Sequence, residues 1–320
     1  MPWSPGPGAA LPLAPGAAVG LETWWLTTPD GVTLRAGQWP AVGRERGLAL
    51  LLTGRTEFLE KAAITAAGLT GRGYRVISVD WRGQGLSDRL LPRIEKAHVS
   101  RFSDYLCDLE ALLGQTERRP DLVLGHSMGG AIALLARREG LLVPAPLVLS
   151  APMVAIAIGG FAARLVRLMS AGARRLGALD RWMPVPRASR AYPLAAAFED
   201  NMLTRDRAVW DWMVAAARAD PAFALATPTL GWLSAADEAM GAMSKMGRLD
   251  GPGLVLWGEQ ERVIAQPALA EISKCLGIEG VCLPDALHEA LIDAPAPRAA
   301  AWATIDRFLG TDGSAGVAGG

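Results

Sequence analysis

Short, continuously apolar runs alternate with segments of helical periodicity along most of the chain. The apolar runs predict eight strands, the first two joined by a tight Pro-Asp-Gly turn, at residues 22–28, 32–39, 48–53, 75–80, 122–125, 146–150, 254–257 and 280–283. Helices are predicted between or after the later strands, at residues 58–71, 102–113, 128–139, 267–276 and 298–309. Strands that are apolar throughout are typical of a parallel sheet with helices on both faces. The pattern therefore predicts an α/β fold with a mostly parallel, doubly wound sheet of about eight strands.

One long segment between the sixth and seventh strands departs from this alternation. Residues 153–245 contain no strand-like run and read as helices interrupted by prolines. An insertion at this point lies at the carboxyl edge of the sheet, where α/β proteins bind their ligands. We therefore expect a helical cap at 153–245, an α/β core formed by 21–152 and 246–310, and flexible tails at 1–20 and 311–320.

Composition restricts the class of protein. Hydrophobic residues make up 51% of the 320 residues, which supplies a large core and excludes a disordered chain. The 32 basic and 32 acidic residues cancel, so a nucleic-acid partner is not expected. The chain starts without a basic leader, prolines interrupt its apolar run at 141–160, and its three cysteines form no C-x-x-C motif. We therefore expect a reducing, cytoplasmic location and no membrane span.

The strongest chemical signal is a G-x-S-x-G motif at residues 125–129, followed by a further glycine at 130. It joins a predicted strand to a predicted helix, which is the context of a nucleophile elbow. Ser127 would occupy a strained turn with its hydroxyl above the sheet, and the flanking glycines would avoid collisions in that turn. The alternative is an ordinary glycine-rich turn, but the context favours Ser127 as a nucleophile.

A serine nucleophile needs a base, and the chain has three histidines. His126 lies inside the elbow and is expected to point away from Ser127, whereas His98 precedes the strand that leads to the elbow. His288 follows the last predicted strand. One class of serine hydrolases uses the chain order serine, acid, histidine, and His288 is in the position of the base in that order.

The acid is expected in the turn after the strand at 254–257. Glu261 is favoured there because it lies in a turn that then leads into Val263 and Ile264. Glu259 is the runner-up, and Asp285 and Asp293 are weaker alternatives. The acid would hold the His288 tautomer and stabilise its imidazolium form.

Two backbone amides must bind the oxyanion of the tetrahedral intermediate. Met128 directly follows the nucleophile and Arg55 lies in the loop after the third strand, so we expect these two amides to be the donors. The Arg55 side chain is expected to meet Glu57 or, as the alternative, a substrate phosphate. Gly54, Glu57 and Trp232 are expected to help bind the substrate.

The chain resembles the α/β-hydrolase superfamily, and within it the monoacylglycerol-lipase-like group that includes bacterial lysophospholipases. The similarity spans about residues 20–310, and besides the elbow it is carried by residues 54–57, 80–87, 98–109, 258–264 and 288–289. The resemblance implies a Ser–acid–His triad, hydrolysis of glycerolipid esters without a cofactor or metal, and a helical cap that binds the acyl chain.

Three positions depart from the lipase pattern. Thr53 stands where the lipases usually carry histidine and Thr56 where they carry glycine, which resembles the lysophospholipase branch more closely. Glu261 stands where aspartate is usual, so the acid assignment stays open. The implied function is hydrolysis of a lysophospholipid or monoacylglycerol. A small-molecule esterase, thioesterase or peptidase with the same triad is the alternative, since specificity lies in the cap, and a binding protein without activity is a third.

The cap carries a charge pattern that the zero net charge hides. Residues 153–190 contain seven arginines and one acidic residue. On a helical wheel Arg164, Arg167, Arg174 and Arg181 share one face, and apolar residues share another: Phe161, Leu165, Leu168, Leu176 and Leu179. The favoured interpretation is a cap helix whose apolar face covers the acyl pocket; the alternative is peripheral contact with an anionic membrane. A glycine at 172 disfavours a continuous helix. No obligate protein partner is expected.

Overall fold

The computed structural model describes residues 5–8, 10–185 and 188–310. Within them, eight strands form one sheet: β1 Glu22–Thr27, β2 Thr33–Trp39, β3 Gly47–Leu52, β4 Tyr74–Val79, β5 Leu122–His126, β6 Leu147–Ser150, β7 Gly253–Gly258 and β8 Glu279–Leu283. The strand order is β1-β2-β4-β3-β5-β6-β7-β8. Strands β1 and β2 are antiparallel to their neighbours, and all other pairs are parallel. This arrangement confirms the predicted α/β fold and its mostly parallel sheet.

Nine α-helices accompany the sheet in the described residues: α1 Leu59–Thr70, α2 Ser103–Leu113, α3 Met128–Arg138, α4 Gly160–Arg175, α5 Tyr192–Ala195, α6 Arg207–Ala219, α7 Leu230–Met243, α8 Gln266–Leu276 and α9 Pro295–Phe308. Short 3₁₀ helices cover Pro221–Phe223 and Ala290–Ile292. Five of the α-helices correspond to the predicted ones. Helix α9 begins three residues before its predicted start, because prolines are tolerated in the first turn of a helix. Helices α4 to α7 lie between β6 and β7 in the chain.

Both faces of the sheet are covered, which explains its apolar strands. All six residues of β3 are buried. Leu48, Leu50 and Leu52 belong to one hydrophobic cluster, shared with α2, α3 and α8, whereas Ala49 and Leu51 belong to a second cluster, shared with α1 and α9. Side chains alternate between the faces of a strand, so each face of β3 contributes to its own core. This rigid centre supports the loops at the carboxyl edge of the sheet.

The segment of residues 10–20, expected to be part of a flexible tail, packs against the rest of the molecule. Ala14 and Ala18 are buried, the Ala18 amide donates to the Ala63 carbonyl at 2.8 Å, and Pro12 accepts a hydrogen bond from the Trp212 indole at 2.9 Å. The segment is apolar, and burying it removes that surface from water. The tail expectation is therefore wrong for these residues, and the second predicted tail, 311–320, lies outside the described residues.

Helix α4 has one face that packs on α7 and another, apolar face that is exposed to solvent. Val166, Ser170 and Ala173 are buried, and the Ser170 hydroxyl donates to the Leu230 carbonyl of α7 at 3.2 Å. The predicted apolar face instead points outward, with exposed fractions of 84% for Phe161, 45% for Leu165, 63% for Leu168 and 83% for Leu176. The favoured prediction that this face covers the acyl pocket is therefore wrong. The helix also continues through residue 172, because packing on α7 outweighs the ~1 kcal/mol cost of a glycine.

Among the helices of the described residues, none is long and apolar enough to cross a membrane.

Candidate active site

Ser127 lies in the turn between β5 and α3. Its φ of 51° and ψ of −116° are outside the regions that L-residues favour, so the backbone is strained here. Its amide donates to the Ser150 carbonyl at 2.9 Å, and its carbonyl accepts from the Met153 amide at 2.9 Å. A Cβ at Gly129 would lie 2.0 Å from the Leu52 carbonyl oxygen, so only glycine lets α3 start this close to β3. The turn has the form of a nucleophile elbow.

His288 follows β8 and contacts Glu261, which follows β7. The distance from His288 Nδ1 to Glu261 Oε2 is 2.7 Å, and both side chains are buried. The other carboxylate oxygen accepts from the amides of Val263 at 2.6 Å and Ile264 at 3.0 Å. Burial opposes ionisation of Glu261, but these hydrogen bonds, that from His288 first, outweigh burial and lower its pKa. With Nδ1 held by a carboxylate, Nε2 is the ring nitrogen that can accept a proton.

The other candidate acids make different contacts. Glu259 is exposed and accepts from the Asp285 amide at 3.2 Å. Asp285 has a φ of 58° and an exposed side chain in the same turn. Asp293 is buried, and its carboxylate accepts from the amides of Leu287 and Arg205. Of the four acids considered, Glu261 is the one whose carboxylate reaches a histidine ring.

The loop between β3 and α1 lies beside Ser127. A Cβ at Gly54 would lie 3.3 Å from the Ser127 Cβ, so glycine permits this close approach. The Gly54 amide donates to the Glu57 carboxylate, and the Thr56 amide, at a φ of 68°, donates to the Gln84 side chain at 2.5 Å. These bonds hold the loop that carries Arg55. The two predicted oxyanion donors, Arg55 and Met128, line the same cavity as Ser127.

A buried charged cluster behind this loop was missed by sequence reasoning. Lys61 Nζ contacts the carboxylates of Glu57 at 2.9 Å and Glu289 at 2.7 Å. Burial disfavours the ammonium, but the two carboxylates, that of Glu289 first, outweigh burial and raise its pKa. Burial likewise opposes ionisation of Glu57, whereas Lys61 and His126 lower the pKa of Glu57 to about 2. The spacing of four between Glu57 and Lys61 was a signal, but Glu289 lies 228 residues from Lys61 in the chain.

His126, the elbow histidine, faces this cluster. Its ring lies 4.8 Å from the His288 ring, measured between centroids, and its Nδ1 is 3.2 Å from the Ser150 carbonyl oxygen. Donor atoms of His126, Glu57 and Glu289 lie within 4.8 Å of one another, a spacing that a cation can bridge. The Lys61 ammonium supplies that positive charge in this structure.

The Arg55 side chain extends toward the cap rather than toward Glu57. Its Nη2 donates to the Ala226 carbonyl at 2.5 Å, and its guanidinium carbon lies 5.4 Å from the centre of the Trp232 ring. Trp232 is held in turn by a 3.1 Å hydrogen bond from its indole to the Tyr105 hydroxyl. The expected contact between Arg55 and Glu57 is therefore wrong, because the Glu57 carboxylate is occupied by the Gly54 amide and by Lys61.

A cavity of about 570 Å³ opens above the elbow. Its lining includes every predicted site residue except Glu261, which lies behind His288: Gly54, Arg55, Glu57, Ser127, Met128, Trp232 and His288. Most of the remaining wall is apolar: Met153, Ile156, Tyr192, Met202, Leu203, Leu225, Val263 and Ile264. A concave, mostly apolar site with a few convergent polar groups is typical of a small-molecule pocket.

The eight-stranded sheet, the elbow and the histidine–carboxylate pair define an α/β-hydrolase of the serine type. The profile of the family described as serine aminopeptidase, S33, matches residues 43–295. The chain belongs to this family of α/β-hydrolases.

Several similar proteins belong to the monoacylglycerol-lipase-like group. Lysophospholipase L2 of Escherichia coli is 30% identical over 304 residues, which cover 89% of this chain and 86% of that protein. Human monoglyceride lipase is 29% identical over 150 residues, 45% of this chain and 49% of that protein. The crystal structure of a soluble variant of monoglyceride lipase from Saccharomyces cerevisiae, in complex with a substrate analog, has the same fold, with a TM-score of 0.72 at 15% identity over 92% of this chain and 97% of that one. These similarities confirm the resemblance to the monoacylglycerol-lipase-like group.

Proposed function

We propose that this serine ester hydrolase removes the acyl chain of lysophospholipids and releases a fatty acid. The observation that carries the proposal is the geometry of the site, in which Ser127 and His288, with Glu261 behind it, face an apolar cavity of about 570 Å³. The similarity to lysophospholipase L2 over 89% of the chain supports a lysophospholipid, and the similarity to monoglyceride lipases makes monoacylglycerols the second candidate.

The proposed reaction proceeds through an acyl-enzyme. Ser127 Oγ attacks the ester carbonyl while His288 Nε2 takes its proton, and the same nitrogen then protonates the departing glycerol oxygen. Glu261 holds the Nδ1 proton and stabilises the imidazolium. The amides of Arg55 and Met128 bind the oxyanion. Water, activated by His288, then attacks the acyl-enzyme and releases the fatty acid.

The substrate class is tested with water-soluble compounds that share one hexanoyl chain: lysophosphatidylcholine, monoacylglycerol and the p-nitrophenyl ester, beside an aminoacyl p-nitroanilide. We expect the lysophospholipid to have the highest kcat/KM. Ser127→Ala should lower kcat by about 10⁴- to 10⁶-fold. Ser244→Ala, which changes an exposed serine outside the cavity, is the matched control and should retain activity.

Two results would contradict this proposal. Full activity of the Ser127→Ala variant on esters would remove the nucleophile assignment. A monoacylglycerol or p-nitroanilide preferred over the lysophospholipid by more than tenfold would replace the substrate class.

We further propose that α4 makes peripheral contact with an anionic lipid surface. Phe161, Leu168 and Leu176 are each more than 60% exposed, and Arg164 and Arg175 are exposed on the same helix. Burying an exposed side chain of this size in lipid contributes about 1.5–3 kcal/mol, and arginines near the surface attract anionic headgroups. This contact would bring the cap to the source of the substrate.

Vesicle flotation tests the lipid contact. We expect the protein to float with phosphatidylglycerol vesicles at low salt, and Leu168→Glu to lower the bound fraction by about tenfold or more. Val42→Glu is the control, because Val42 is 67% exposed in the loop before β3, at the opposite edge of the sheet. Failure of the unmodified protein to float, or equal loss in both variants, would overturn this contact.

A further inference from the structure

The half-buried Arg55 guanidinium differs from those of two fully buried arginines, Arg35 and Arg82. Arg35 contacts the carboxylates of both Glu60 and Asp80, and Arg82 contacts those of both Asp30 and Asp108. Arg55 has no carboxylate within 4.0 Å among the residues that the structure describes. A shielded cation is therefore left without a counter-charge beside the nucleophile.

The hydrogen bonds of Arg55 are also incomplete. Nη2 donates to the Ala226 carbonyl and the ring of Trp232 lies beneath the guanidinium, but Nε is buried without a partner in the described part of the chain. A buried donor without a partner costs free energy, and a stacked aromatic ring compensates only part of it. Burial lowers the pKa of Arg55 to about 10, which leaves the group charged at neutral pH. The site therefore favours an anion that balances the charge of the guanidinium.

The neighbouring carboxylates do not supply that anion. Glu57 and Glu289 line the same cavity, but each contacts Lys61, and Glu57 also accepts from the Gly54 amide. An exposed arginine, Arg190, adds positive charge to the same lining. The cation at Arg55 is therefore available to a ligand.

Resting on the proposed function, we propose that the Arg55 side chain binds the phosphate of the substrate headgroup and selects lysophospholipids over monoacylglycerols. The planar guanidinium carries several N–H donors in a fixed arrangement that can match two phosphate oxygens. Arg55 also carries a proposed oxyanion amide, so its backbone lies at the reacting ester while its side chain extends toward Ala226 and Trp232 of the cap. In a lysophospholipid the glycerol unit likewise places the phosphate at a distance from the ester, so one residue could contact both groups. A monoacylglycerol offers hydroxyl oxygens but no anionic group to balance the charge of the guanidinium.

The test compares Arg55→Met and Arg55→Lys with the unmodified enzyme on hexanoyl lysophosphatidylcholine and monohexanoylglycerol. The measured quantity is the ratio of the two kcat/KM values, which removes any loss common to both substrates. We expect the ratio to fall about 10- to 100-fold in Arg55→Met and by less in Arg55→Lys, which keeps the charge but loses the fixed arrangement of donors. Arg218→Met, an exposed charge-matched control on α6 outside the cavity, should leave the ratio unchanged. A ratio within threefold of the unmodified enzyme in both Arg55 variants would overturn the proposal.

A second measurement separates this proposal from the proposed function. Glycerophosphocholine, inorganic phosphate and glycerol are tested as inhibitors of p-nitrophenyl hexanoate hydrolysis, which needs no lipid activity. We expect glycerophosphocholine to inhibit competitively, its inhibition constant to rise at least tenfold in Arg55→Met, and glycerol to have no effect at the same concentration. If lysophospholipids are not cleaved but this inhibition holds, the substrate class is wrong and the Arg55 phosphate site stands. Inhibition that does not change in Arg55→Met, or equal inhibition by inorganic phosphate, would overturn the headgroup site.

Discussion

The sheet-bearing core and the helices between β6 and β7 handle charge in opposite ways. In the core, the fully buried cations Arg35 and Lys61 are matched by carboxylates, those of Asp80 and Glu289, whereas the half-buried Arg55 is not. In the helical segment, the pair Arg167–Asp237 lies at the surface, with the arginine side chain 65% exposed. Breaking a buried pair leaves an uncompensated charge and costs about 3–5 kcal/mol, whereas an exposed pair contributes about 0–1 kcal/mol. Charge pairs in the core are therefore expected to contribute more to stability than the pair at the surface of the helical segment.

The turn after β7 contains both a buried glutamate, Glu261, which contacts His288, and an exposed one, Glu259. Glu261→Gln should lower kcat by about 10³- to 10⁴-fold, because the amide no longer holds the His288 tautomer or stabilises the imidazolium. Steady-state kinetics on the p-nitrophenyl ester provide the measurement. Glu259→Gln, two residues away and exposed, should remain within threefold of the unmodified enzyme. The reverse order of the two variants would assign the acid to Glu259.

The next effect tests the contrast between buried and exposed pairs directly. Lys61→Met should lower the free energy of unfolding by about 3–5 kcal/mol, since it leaves the carboxylates of Glu57 and Glu289 buried without their cation. Urea unfolding measures the change. Arg167→Met breaks a pair at the surface and should cost less than about 1 kcal/mol. Equal losses of unfolding free energy in Lys61→Met and Arg167→Met would show that the buried and exposed pairs do not differ in their contribution to stability.

A smaller effect concerns the pH dependence of the same buried cluster. The folded-state pKa of Glu57 is about 2, below its ordinary value of 4.5, so unfolding takes up a proton between these values. Glu57 therefore contributes stability that is present above about pH 4.5 and is lost as the pH falls toward 2. We expect Glu57→Gln to flatten the dependence of unfolding free energy on pH in this window, measured by urea unfolding. Glu259→Gln should leave the slope unchanged, and an unchanged slope in Glu57→Gln would show that another group titrates.

Local signals in the chain were sufficient for most of the fold. Each strand prediction agrees with the structure to within one residue at each end. For the buried parallel strands the reason is that such a strand is apolar along its whole length. The elbow could also be predicted from its glycines, since the close approach of residue 129 to the Leu52 carbonyl oxygen tolerates only glycine. Glu261 was favoured over Glu259 because its turn leads into Val263 and Ile264, and the Glu261 carboxylate contacts His288.

Contacts between parts of the chain that are distant in sequence could not be predicted from local patterns. Lys61 and Glu289 are 228 residues apart, and Arg55 and Ala226 are 171 apart, so no spacing indicates that they meet. The outward orientation of Phe161 was also missed. A helical wheel identifies an apolar face but not its neighbour, and α4 packs on α7 through a different face that includes Val166.

The proposed acyl-enzyme on Ser127 can be detected by intact-protein and peptide mass spectrometry. The enzyme is mixed with p-nitrophenyl hexanoate, quenched in acid during turnover and digested. We expect one hexanoyl group, located on the peptide that contains Ser127 and absent from the Ser127→Ala variant. A hexanoyl group on another residue, or continued turnover by Ser127→Ala, would contradict the proposed acyl-enzyme.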